Sequence, residues 1–143
     1  MKINSTCEKD TFDLGFALAQ KALPGQIYCL EGDLGAGKTV FAKGFGKWLD
    51  IREPISSPTF TIVHEYHDGR LPLYHFDAYR IEDPEEFYEI GCEEYFYGDG
   101  VCLIEWPSRI EELIPKDAVL IRIERTADGA GDHREITVTG LDG

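Results

Sequence analysis

The sequence predicts an α/β fold: a mixed, mainly parallel sheet flanked by helices, with antiparallel hairpins added to it. Three observations lead there. Short apolar runs alternate with helix-length segments through the first half of the chain, the pattern of a parallel sheet with crossover helices. Val101-Cys102-Leu103-Ile104 is apolar at every position, as a central parallel strand covered on both faces should be. Asp68-Gly69 and Asp128-Gly129-Ala130-Gly131 are turn signals between β-prone runs, which predicts two hairpins. The 143 residues suit one domain, residues 1–143, and no linker, repeat or low-complexity tract divides them.

In chain order, Asp10-Thr11 is expected to cap a helix that runs to about Leu23 and ends at Pro24-Gly25. Leu14, Ala17, Leu18 and Ala22 would form its apolar side. Gln26 to Glu31 reads as a short strand, followed by a glycine-rich turn and a second helix to about Asp50. Ser56-Ser57-Pro58 is a loop, and Thr59 to Val63 a strand rich in β-branched and aromatic residues. Asp68-Gly69 then turns the chain into Leu71 to Phe76. Asp83, Pro84 and Glu86 occupy N-cap, N1 and N3 of a helix predicted to extend to Tyr97. Val101 to Glu105 is a strand, Pro107 to Leu113 a short helix, and Ala118–Glu124 with Glu135–Thr139 a terminal hairpin.

Charge and cysteine usage narrow the function classes. Fourteen basic and 27 acidic residues leave a net charge of −13. A direct grip on nucleic acid needs Lys and Arg to neutralise phosphates, so that class is disfavoured, as is an anionic membrane surface. No apolar run approaches the ~18 residues of a membrane span, and the start lacks a secretory apolar region. The four cysteines, Cys7, Cys29, Cys92 and Cys102, form no C-x-x-C pair, which argues against zinc. Cys29 and Cys102 read as small buried hydrophobes in a reduced, cytoplasmic chain.

The strongest chemical signal is Gly32-Asp33-Leu34-Gly35-Ala36-Gly37-Lys38-Thr39, which fits G-x-x-x-x-G-K-[ST]. The glycines let backbone N–H groups approach phosphate oxygens without a Cβ in the way. Lys38 is expected to reach the β- and γ-phosphates from the exposed start of a helix, and Thr39 to place its hydroxyl on Mg²⁺. Val40 continues that first turn, whose positive dipole end favours the same anion. The motif follows a predicted strand and opens a predicted helix, the context that confirms a phosphate-binding P-loop.

Such a site takes a second acid at the end of a neighbouring strand. Glu105 and Asp77 both qualify. Glu105 ends the all-apolar strand and is favoured for the Mg²⁺ shell; Asp77 would then orient the attacking water. For either, the plainer reading is an acid that caps the next turn. Ser57 and Thr59 fall where nucleotide hydrolases often carry a switch hydroxyl, or are simply a turn and a strand start. Trp106 either packs the site shut or belongs to the core. His64 and His67, three apart, face opposite sides of a strand. His75 shares a strand face with Asp77, and no metal or catalytic role is assigned to any histidine.

The nucleotide class follows by comparison. A guanine-selective enzyme needs an Asn-Lys-x-Asp element, and the sole Asn is Asn4, ahead of the loop. A small-molecule kinase needs an arginine-rich lid, whereas the arginines here are scattered singly. A small ATPase, or an ATP-dependent module acting on a partner, remains.

Gly32 to Thr39, Ser57-Pro58-Thr59-Phe60-Thr61, Tyr74-His75-Phe76-Asp77-Ala78-Tyr79-Arg80 and Leu103-Ile104-Glu105-Trp106-Pro107 closely resemble, in order and spacing, the TsaE family, also called YjeE. The resemblance spans about Thr11 to Thr139. It implies a P-loop fold, ATP and Mg²⁺ as ligands, and service to tRNA N6-threonylcarbamoyladenosine biosynthesis through TsaB and TsaD proteins. It carries Lys38 and Thr39 over as phosphate and Mg²⁺ contacts, Glu105 as the Mg²⁺ acid and Asp77 as the hydrolysis residue. Arg134 matches a family arginine placed near the nucleotide base. A chain at −13 would then meet tRNA through its partners. The acidic helix from Pro84 to Tyr97, with Glu85, Glu86, Glu89 and Glu93 on one stripe, reads by itself as a solvated face, and the partnership that the resemblance implies makes it a candidate docking face.

Overall fold

The computed structural model describes residues 1–32, 36–55, 63–126 and 133–140. Along the chain it has β1 (Lys2–Ser5), α1 (Glu8–Ala19), β2 (Ile27–Glu31), α2 (Lys38–Trp48), β3 (Val63–Tyr66) and β4 (Leu73–Asp77). These are followed by α3 (Pro84–Glu89), α4 (Cys92–Phe96), β5 (Val101–Glu105), a 3₁₀ helix (Pro107–Leu113), β6 (Val119–Arg125) and β7 (Arg134–Thr139). The described strands form one seven-stranded sheet in the order β1-β7-β6-β2-β5-β4-β3. Its centre, β6-β2-β5-β4, is parallel. The β3–β4 and β6–β7 hairpins and the β1–β7 pair are antiparallel. The predicted mixed sheet is therefore the one observed.

Strand alternation divides the core in two. Tyr28, Leu30, Leu73, Val101, Leu103 and Ile121 face α1 and α2. Ile27, Cys29, Tyr74, Phe76, Cys102 and Ile104 face the other way, toward Phe87, Phe96 and Ile110. This double cover explains why β5 is buried at every position. Burial pushes the Cys29 and Cys102 thiols up to about 12, so both behave as apolar side chains.

Three local expectations change. The first helix starts at Glu8, with Asp10 inside it accepting from the Thr6 N–H and hydroxyl. Its buried residues are Thr11, Gly15, Leu18 and Ala19, and Ala17 faces solvent. Packing against α2 decides this face. A Cβ on Gly15 would strike the Phe41 carbonyl, and one on Gly44 the Phe12 carbonyl, so the helices touch through glycine backbone. Second, the strand expected over Thr59–Val63 is described from Val63 onward and continues to Tyr66; residues 59–62 lie outside the described residues. The tip of the terminal hairpin, residues 128–131, lies outside them as well.

Third, the helix expected from Pro84 to Tyr97 is two short helices, broken at Gly91 with φ +86°. Phe87, Cys92 and Phe96 enter the same core, whereas a continuous helix at 3.6 residues per turn would point them to different sides. The break also divides the acidic stripe: Glu85, Glu86 and Glu89 belong to α3 and Glu93 to α4. The N-terminal strand β1 has no periodic signal of its own; pairing with β7 makes it.

Gly→Ala in an exposed helix usually stabilises by about 0.5–1 kcal/mol. Gly44→Ala is expected to do the opposite here, costing about 1–3 kcal/mol through forced separation of α1 and α2. Urea unfolding measures it, and a midpoint equal to or above that of the natural chain would contradict the contact.

Candidate functional site

The carboxyl ends of β2, β4 and β5 lie along one edge of the parallel sheet, the edge at which open α/β sheets bind ligands. The glycine-rich loop leaves β2 there. Gly32 follows Glu31, and Ala36 and Gly37 lead into Lys38 at the start of α2. Asp33, Leu34 and Gly35 lie outside the described residues, as do Ser57 and Thr59. Gly37 has φ +114°, a backbone geometry that L side chains rarely adopt. Gly37, the N-cap of α2, has no side chain with which to cap that terminus. Thr39 and Val40 are half-buried in its first turn.

Arg134, at the start of β7, braces this loop. Its Nε donates to the Ala36 carbonyl at 2.8 Å, and another guanidinium nitrogen to the His133 carbonyl at 2.9 Å. Lys38 departs from expectation. It is 5% exposed rather than open to solvent, and its Nζ lies 3.8 Å from the centre of the Trp106 ring. Trp106 arrives from the end of β5, so a residue remote in sequence covers the lysine that helix position alone would leave exposed.

The two acids stand side by side. Asp77 and Glu105 are register partners on the adjacent parallel strands β4 and β5, so their side chains share a face. Glu105 is 3% exposed. His75 Nε2 lies 2.7 Å from Glu105 Oε2. Asp77 Oδ1 accepts from the Tyr79 N–H at 2.9 Å, so the turn-capping role is real and occupies one oxygen. Burial raises the Asp77 carboxyl above its usual value, more than the Tyr79 N–H lowers it. Glu105 raises it further, while Lys38 and His75 pull it down. The acids, the lysine and the histidine thus form one electrostatic group.

Trp106 belongs to the site and to the core edge at once. Its φ of 59° is left-handed, an outlier for a bulky residue of the kind that clusters at functional sites. The Trp106 N–H donates to the Leu30 carbonyl at 3.3 Å. Its ring packs on Tyr79 with centroids 4.8 Å apart. His75, to which the sequence assigns no metal or catalytic role and which shares a strand face with Asp77, hydrogen-bonds Glu105, thirty residues away.

The donor set suits Mg²⁺. The Thr39 hydroxyl and the Glu105 carboxylate, the residues predicted for the metal, are hard oxygen donors that could hold it, and Mg²⁺ is usually held by one or two carboxylates plus substrate phosphates. No group of three His, Cys, Asp or Glu able to hold a metal occurs among the described residues, and a phosphate-assisted site requires none. A separate groove of about 700 Å³ opens where the 3₁₀ helix meets β2 and β6; its lining includes Glu31, Glu111, Lys116 and Arg122 and none of the predicted site residues. Among the described residues, no helix is long and apolar enough to cross a membrane.

Because the fold holds the Asp77 proton to higher pH than the unfolded chain does, ionising it weakens the fold, and that cost grows as pH rises through the two values. Asp77→Asn keeps an acceptor for Tyr79 and removes the charge. Without nucleotide or Mg²⁺, it is expected to raise the melting temperature at pH 7, with the gain vanishing below pH 3.8, the unperturbed value. A gain that persists unchanged at low pH would refute the assignment.

The family model "Threonylcarbamoyl adenosine biosynthesis protein TsaE" matches residues 5–136. The tRNA threonylcarbamoyladenosine biosynthesis protein TsaE of Bacillus subtilis is 48% identical over 141 residues, 99% of this chain and 86% of that protein. Its namesake in Treponema pallidum is 44% identical over 138 residues, 96% of this chain and 99% of that one. The crystal structure of Bacillus subtilis YdiB superposes with a TM-score of 0.79 at 43% identity, covering 96% of this chain and 83% of that one.

Proposed function

The chain belongs to the TsaE family, and on that premise we propose that it is a P-loop ATPase. It binds ATP with Mg²⁺, hydrolyses it, and thereby acts on a TsaB–TsaD pair in tRNA threonylcarbamoyladenosine modification. The observation that carries this reading is the pair of strand-end acids, Asp77 opposite Glu105, at the same sheet edge as Lys38 and the glycine-rich loop.

The residues divide the work. Backbone N–H groups of the loop and of the first turn of α2 receive the phosphates, with Lys38 directed at the β- and γ-phosphates. Arg134 keeps the loop in place through the Ala36 carbonyl and lies on the side expected to receive the base. Thr39 and Glu105 hold Mg²⁺, whose contribution is to neutralise charge on the phosphate oxygens. Asp77 uses Oδ1 for Tyr79 and Oδ2 to orient the attacking water. Its raised pKa makes it a stronger base than an exposed aspartate. Trp106 shields Lys38 from bulk water. With a net charge of −13, the chain relies on its protein partners for contact with tRNA. The transferase chemistry is theirs, and ATP turnover here resets the assembly.

Calorimetry and turnover assays separate the roles. Lys38→Met keeps the buried stem against Trp106 and removes the charge, so ATP affinity is expected to fall about 10–100-fold, the worth of a charged hydrogen bond. Asp77→Ala is expected to bind Mg²⁺–ATP normally and lose about 10²–10⁴-fold in turnover. Glu105→Gln is expected to weaken the Mg²⁺ dependence of binding. Turnover by the natural chain is expected to rise when TsaB and TsaD are added. Loss of Mg²⁺–ATP binding in Asp77→Ala, with Glu105→Gln unaffected, would exchange the two acids.

A further inference from the structure

We propose that His75 is the positioning residue for Glu105, holding its carboxylate in the one orientation that serves Mg²⁺; this rests on the reading of Glu105 as the metal acid. Both side chains are buried, His75 at 0% and Glu105 at 4% exposure. A carboxylate taken so completely out of water needs a compensating polar partner, and His75 Nε2 lies 2.7 Å from Oε2, the short distance of a charge-assisted bond.

The strand register makes the contact directional. His75 lies opposite Leu103 on β5, and Glu105 is two residues further along the same strand. The imidazole therefore reaches diagonally along the face that carries Leu73, Asp77 and Leu103. On its other side β3 sets His64 opposite His75, but His64 is occupied with Tyr66 and Glu53. His75 Nδ1 is buried and makes no hydrogen bond among the described residues. Among the described residues the ring therefore hydrogen-bonds Glu105 through Nε2, and since an ionised carboxylate can only accept, Nε2–H is the donor.

The consequence lies in the carboxylate torsion. The terminal torsion of Glu is broad, so packing around the stem does not select a carboxylate plane. A donor fixed by a central strand does select it: with Oε2 held by His75, the carboxylate plane is set beside Asp77, the register partner of Glu105. Histidine and carboxylate partners that orient ligands in this way typically affect metal affinity by about 10–100-fold.

The test measures the Mg²⁺ concentration that half-saturates binding of a non-hydrolysable ATP analogue, by calorimetry, beside analogue affinity in EDTA. His75→Leu is expected to raise the Mg²⁺ requirement about 10–100-fold and to leave the EDTA affinity unchanged. His75→Gln, whose Nε2–H can stand where the imidazole Nε2–H stood, is expected to recover most of the loss. In a Glu105→Gln background, His75→Leu is expected to add nothing, since the two act as one unit. If His75→Leu does not fold, His75→Asn takes its place, because its shorter amide cannot reach Oε2. A Mg²⁺ requirement within twofold of the natural chain in His75→Leu or His75→Asn, with Glu105→Gln impaired, overturns the positioning role alone. An unchanged requirement in Glu105→Gln overturns the metal-acid reading and this inference with it.

Discussion

The parallel pairing of β4 with β5 sets Asp77 directly opposite Glu105, and the site depends on that register. A shift of one residue would turn one acid to the opposite face of the sheet and separate the pair. The register is held by burial on both faces. Leu73, Val101 and Leu103 are locked under α1 and α2, and Tyr74, Phe76, Cys102 and Ile104 under the short helices opposite. The apolar core thus acts as the ruler that places two charged groups at one edge.

Placing them there is costly. Lys38, His75 and Glu105 are all buried, and each ionisable group so removed from water must find compensation. The compensation is local and mutual: the indole of Trp106 covers Lys38, His75 meets Glu105, and the Tyr79 N–H meets Asp77. Trp106 takes a left-handed backbone where β5 ends, which sends its ring over the lysine instead of along the strand. Strain of this kind persists where the surroundings over-determine it. Here they do so through the Leu30 carbonyl and the Tyr79 ring.

The far side of the sheet contributes as well. β7 pairs with β6 and β1, and Arg134 at its start reaches the Ala36 carbonyl. The terminal hairpin is therefore more than an edge addition, because it ties the glycine-rich loop to the opposite half of the sheet. The α1–α2 contact through Gly15 and Gly44 seats α2, and with it Lys38 and Thr39, at a fixed height above β2.

Much of this was legible in the sequence, because it is encoded locally. The all-apolar run of β5, the hairpin turns, the Asp83-Pro84 helix start and the strand–loop–helix context of Gly32 to Thr39 each depend on neighbours within a few residues. The glycine-rich loop and both strand-end acids could be named from that information. What the tertiary structure alone decided are contacts between segments far apart in the chain. It turned α1 toward Gly15, made a strand of Lys2–Ser5 by pairing it with β7, and broke the acidic helix at Gly91 so that Phe87 and Phe96 share one core. It also buried Lys38 beneath Trp106 and joined His75 to Glu105 across two strands. Local propensity is set by each residue's own backbone and its near neighbours. Burial and pairing of charged groups depend on which distant surface arrives beside them, and that is settled only when the sheet closes its register.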